Sequence, residues 1–148
     1  MKRFAVLVIG LTLALSGCVA QTVARDFFGG EIATRNQRLA TYSLDDQWSI
    51  FLYGNQVVHP PATGLAQVLA RQGETAIPFI LVKLESSRND LDFRDSMVVF
   101  QMMQWHGDYA ICANGELMSK IKGNQSKIGN PAWRQVYGEM LVELCRAK

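Results

Sequence analysis

Residues 73–105 read GETAIPFILVKLESSRNDLDFRDSMVVFQMMQW, two apolar segments joined by the polar stretch Ser86-Ser87-Arg88-Asn89-Asp90. At helical spacing the first segment stacks Ile77, Ile80 or Leu81, and Leu84 on one side. The second stacks Phe93, Met97 and Phe100, with Leu91, Val98, Met102 and Trp105 widening the face. Two helices joined so briefly fold back on each other as an αα-hairpin. Pro78 fits a helix only in its opening turn, so the first helix begins near Glu74 to Ile77. Its apolar residues, Ile77, Phe79, Ile80, Leu81, Val82 and Leu84, run almost all the way round, which predicts the most buried helix of the domain. Asn89, Asp90 and Asp92 supply a cap and acidic first-turn charges for the second helix.

Upstream, Ser43, Asp45 or Asp46 can cap a helix carrying Trp48, Phe51, Leu52 and Tyr53, with Gly54-Asn55 as a left-handed stop. His59-Pro60-Pro61 makes a rigid elbow, after which a helix can hold Leu65, Val68 and Leu69. Downstream, His106-Gly107 ends the hairpin's second helix. Residues 108–112 read as a strand-like connecting loop, and Asn114 can cap a short helix through Leu117, Met118 and Ile121. Asn130-Pro131 opens a last helix with a stripe of Trp133, Val136 or Tyr137, Met140, Leu141 and Leu144. The fold expected is all-α, a small bundle of stacked antiparallel helical hairpins.

The residues Gly73, Ala76, Ile77, Pro78, Leu81 and Leu84, followed by Asp92, Phe93, Arg94 and Met97, resemble HEAT-type helical repeats. There an aspartate and a Val-Arg pair open a helix; Phe93-Arg94 stands in that place here. The resemblance covers one hairpin, implying a HEAT-like stack and not a long solenoid.

The amino end carries an address. Lys2 and Arg3 precede the apolar run FAVLVIGLTLA, residues 4–14, and then Leu15-Ser16-Gly17-Cys18. The run is short for a bilayer span, which takes about 20 apolar residues, and fits a secretory signal. Leu15-Ser16-Gly17-Cys18 resembles the lipobox of bacterial lipoproteins. That resemblance implies cleavage before Cys18, diacylglycerol on its sulfur and an acyl group on its new amino end. Several acyl chains, at about 0.8 kcal/mol per buried CH₂, anchor firmly. In the enterobacterial lipoprotein pattern an aspartate after the cysteine favours the inner membrane. Val19 stands there instead, which implies the periplasmic face of the outer membrane, the inner membrane being the alternative address. The expected organisation is a signal peptide at 1–17, a lipid-anchored tether at 18–43 and a helical domain at 44–148.

With 15 Lys+Arg against 13 Asp+Glu, losing Lys2 and Arg3 leaves the two signs equal. A neutral domain gives no electrostatic ground for binding nucleic acid or an anionic surface. Cys112 and Cys145 remain after Cys18. In an oxidising compartment they can form a disulfide, or they can be two buried thiols.

Chemistry-bearing motifs are sparse. His59 and His106 lie in no metal-binding or zinc-protease spacing, and no glycine-rich phosphate loop or Gly-x-Ser-x-Gly elbow occurs, so no cofactor or metal is expected. Asp90, Asp92 and Asp95 cluster, but helix-start capping accounts for them. The reading as a non-enzyme that binds an envelope protein through an apolar groove, or organises an envelope assembly, has Met102, Met103 and Trp105 as candidate contacts. Phe27-Phe28 either docks on the domain, lies near lipid headgroups or joins those contacts. One competing reading is a small hydrolase built on His106, Cys112 and the Asp92/Asp95 region. Another is a carrier with an enclosed apolar cavity.

Overall fold

The computed structural model describes residues 21–146. Cys18, the signal region 1–17 and the first tether residues lie outside them. The chain divides after Ala62 into two compact units. Among the described residues every regular element is helical and no strand occurs.

In the first unit, residues 21–28 form α1. Arg35–Leu39 forms α2 and Leu44–Gln56 forms α3. The end of α1 is closed by two arginines of α2, because carbonyls at a helix C-terminus lack amide partners and attract cations. The Arg38 guanidinium donates to the Phe27 carbonyl, and Arg35 donates to the Phe28 carbonyl at 3.5 Å. Each also lies over a ring, Arg38 at 4.6 Å from the Phe27 centroid and Arg35 at 4.9 Å from that of Phe28. A side chain at Gly30 would meet the Arg38 guanidinium, so a larger residue there would have to displace it from the Phe27 carbonyl. Ser43 caps α3, its oxygen accepting from the Asp46 amide at 3.2 Å. The expected stop at Gly54-Asn55 does not occur. The helix runs to Gln56 and closes on right-handed Val57, whose amide donates to the Tyr53 carbonyl. That ordinary last-turn bond leaves no need for a left-handed residue.

The second unit contains α4 (Ala66–Ala70), α5 (Ala76–Ser86), α6 (Asp90–His106), α7 (Gly115–Gly123) and α8 (Pro131–Leu144). Pro78 is the third residue of α5, where its missing N–H has no helical acceptor. Asn89 caps α6 through the Leu91 amide, and Gly107 ends it at φ 78°. Asn130 caps α8 through the Ala132 and Trp133 amides, with Pro131 beginning the helix. The segment expected to be strand-like instead tightens into a 3₁₀ turn at Ile111–Ala113; with no neighbouring strand to bond it, its amides find the Tyr109 carbonyl within the turn and the Met103 carbonyl and Gln104 side chain of the preceding helix.

The central helix is α6, packed against α4, α5 and α8. Phe93, Met97 and Phe100 are buried, as their spacing predicts. Ser96, Val99 and Met103 are buried as well, so α6 is enclosed on more than one side. The expectation that α5 is the most buried helix is corrected. It buries Ala76, Ile77, Ile80 and Leu84, but Val82 is 63% exposed and Pro78 is also exposed. Apolar content sets what a helix could bury; the number of neighbours sets what it does bury, and α6 has more of them.

Three ties join α6 to α8. At their starts the Asp90 carboxylate accepts from the Gly129 and Asn130 amides at 3.0 and 2.7 Å. Midway, Gln101 donates to the Met140 carbonyl at 3.1 Å. Beyond their ends Cys112 is bridged to Cys145, with Cα atoms 5.7 Å apart. Start meets start and end meets end, so the two helices run in the same sense. Between them Arg94 donates to the buried Asp95 carboxylate at 2.8 and 2.5 Å and lies 5.3 Å from the Trp133 ring centroid.

Tyr137, fully buried on α8, donates its hydroxyl to the Ile121 carbonyl at 2.8 Å. Burial holds its pKa well above the ordinary phenol value, against a smaller lowering by the Asn124 side chain. An unfolded tyrosine ionises near about pH 10, while this one stays protonated there. The unfolded chain then binds fewer protons, so stability falls as pH climbs above about 10. Tyr137→Phe should cost roughly 1 kcal/mol at neutral pH and make the alkaline fall shallower. Denaturant titrations at neutral and alkaline pH measure both; an equally steep alkaline fall in the variant would exclude Tyr137 as its source.

Candidate functional site

The open side of α5 faces α7 across a groove. One end, about 260 Å³, is lined on the α5 side by Glu74, Ile77, Pro78 and Leu81, and on the other by Tyr109, Asn114 and residues of α7 through Lys120. The other end, about 460 Å³, is lined by Pro78, Leu81, Val82 and Glu85 against Lys120, Asn124 and Lys127. Pro78, Leu81 and Lys120 belong to both ends, so the two form one trough. Residue numbers rise in the same direction along both walls, so α5 and α7 also run in the same sense.

The floor is apolar because α5 has more apolar residues than its buried face uses. The rim is charged. Glu74 and Glu85 stand at the two ends of the α5 wall. On the α7 wall Lys120 binds Glu116 at 2.7 Å, one helical turn apart. The Lys120 ammonium, by hydrogen bond and then by charge, holds the Glu116 pKa below the usual carboxylate value. Lys127 stands beyond the end of α7. The far wall is braced: Asn114 donates to the Tyr109 hydroxyl at 3.1 Å, and the Cys112 amide between them donates to Gln104 at 2.9 Å.

Among the second-unit residues singled out in the sequence, Met102, Met103 and Trp105 do not line this groove. Met103 is fully buried, Met102 half-buried and Trp105 40% exposed on α6. Phe27 is buried and Phe28 half-buried, stacked with the arginines of α2. The sulfur of Cys112 is bonded to Cys145, and in that form it offers no thiolate to act with His106. Asp92 accepts from Ser87 at 2.7 Å and Asn89 at 3.1 Å, a helix-start arrangement. Among the described residues no group of three or more His, Cys, Asp or Glu could hold a metal ion. No described helix is long and apolar enough to cross a membrane.

The groove itself was missed in the sequence. Its signal was present in Leu81 and Val82, which sit beside the buried stripe Ile77-Ile80-Leu84 and exceed what a single packed face takes up. Comparison with protein-family models, curated proteins and solved structures finds no match to this chain. The class the fold defines is therefore the coarse one, an all-α helical bundle, here with a bridged cysteine pair and an open apolar trough.

Proposed function

We propose that the chain is a bacterial lipoprotein, anchored through Cys18 at the periplasmic face of the outer membrane, whose HEAT-like helical module holds an envelope protein in the α5–α7 groove. The observation that carries the docking role is the apolar floor of exposed Pro78 and Val82 and half-buried Leu81. Open apolar troughs rimmed by charge are the usual form of a protein-binding surface. An enclosed cavity, which a carrier would need, is not the form of this trough. The bridged Cys112–Cys145 pair supports an oxidising compartment. The same-sense pairs, α5 with α7 and α6 with α8, support a stack of two hairpins. Acyl chains confine the module to the membrane surface and raise its effective concentration near membrane partners.

The test places a photoreactive residue at Val82 of the full-length protein in intact cells. Crosslinks to an envelope polypeptide are expected, with acyl mass on Cys18 in the same preparation. Absence of a polypeptide adduct at position 82 would reject the docking site, and an unmodified Cys18 would reject the anchor.

A further inference from the structure

We infer that the occupant of the α5–α7 groove is an amphipathic α-helix of about three turns, with basic residues on the flank facing α5 and an acidic residue at the end facing Lys127. The inference rests on the docking role proposed above and specifies what docks.

The backbone argues for a helix. Both long walls are built on helices whose amides and carbonyls bond within themselves, and among the described residues no strand edge is present to pair with an extended peptide. An extended segment pressed onto this apolar floor would lose water from its own amides and gain no backbone partner, which costs free energy at every buried group. A helix brings those bonds already made and needs only an apolar stripe. The length follows from α5, whose 11 residues span about 16 Å at about 1.5 Å per residue.

The rim argues for the charges. Glu74 and Glu85 put a negative charge at each end of the α5 wall. Across the trough, Glu116 is already neutralised by Lys120 at 2.7 Å, so the charge left to meet a partner is Lys127. A helix laid between the walls with basic residues toward Glu74 and Glu85, and an acid toward Lys127, pairs every rim charge. The reverse arrangement sets like charges together, and rim electrostatics of this kind decide between partners more than they add affinity.

Fluorescence anisotropy with the detergent-solubilised full-length protein tests this with three synthetic peptides. The first has a leucine stripe at helical spacing with the matched flanks. The second has the flanks exchanged, and the third is the matched peptide interrupted by proline at its centre. The matched peptide should bind about tenfold tighter than the exchanged one, and the interrupted peptide should lose binding. Val82→Asp should abolish binding of the matched peptide. The double variant Glu85→Lys/Lys127→Glu, which exchanges two exposed rim charges, should weaken the matched peptide and strengthen the exchanged one. Equal binding of all three peptides, or no binding of any, would overturn the helix inference. If position 82 nevertheless crosslinks to a polypeptide in cells, docking stands and only the nature of the occupant is wrong. A phospholipid adduct at position 82 would overturn both.

Discussion

Phe100→Ala should lower the stability of the second unit by about 3–5 kcal/mol, the largest effect expected of any single substitution described here. The ring is fully buried on α6, the helix packed against α4, α5 and α8. Its removal takes away both the transfer free energy of the ring and the contacts of the atoms around it, since helices tied at several points cannot close the cavity. For a unit of this size the thermal midpoint should fall by more than about 10 °C. Val82→Ala, at an exposed position on α5, should stay within about 0.5 kcal/mol. Calorimetry on both variants measures the contrast. Comparable small shifts would mean that α6 is not the centre of the core.

Loss of the disulfide ranks second. Cys112 and Cys145 are separated by 33 positions in sequence. A bridge over such a span limits the unfolded chain and stabilises by about 2–4 kcal/mol. The double variant Cys112→Ser/Cys145→Ser should lose that amount, and a dithiol reductant should lower the midpoint of the natural protein while leaving the double variant unchanged. The same change should reach the groove. Cys112 lies between Tyr109 and Asn114, whose mutual hydrogen bond shapes one wall. Amide hydrogen exchange at residues 109–114 should therefore rise in the double variant. An unaltered midpoint under reductant would show that the bridge contributes nothing to stability.

Much of the helix pattern was readable in the residues because the signals are local. Asn89, Asn114 and Asn130 cap the helices their positions suggest, and Pro78 sits in an opening turn. The stripes Ile77-Ile80-Leu84 and Phe93-Met97-Phe100 are buried together. What could not be read was how many neighbours each helix has. Leu81 and Val82 have the same apolar character as Ile80, yet only Ile80 is fully buried. The Met102-Met103 ambiguity had the same origin: Met103 turns inward because α6 is enclosed on more than one side, a property of the assembled helices rather than of the two adjacent residues. The roles of Arg35 and Arg38 were also hidden, since their acceptors lie in the preceding helix and depend on the intervening turn.

The ties between α6 and α8 bear on how the molecule takes mechanical load. A slip of one turn, about 5.4 Å, would have to break the Asp90 contacts and the Gln101–Met140 bond together, while the covalent bridge still holds the far ends. Sliding of one helix along the other is thus resisted by both noncovalent ties at once. While the disulfide is intact, the far ends of the two helices stay neighbours even after the other ties are lost.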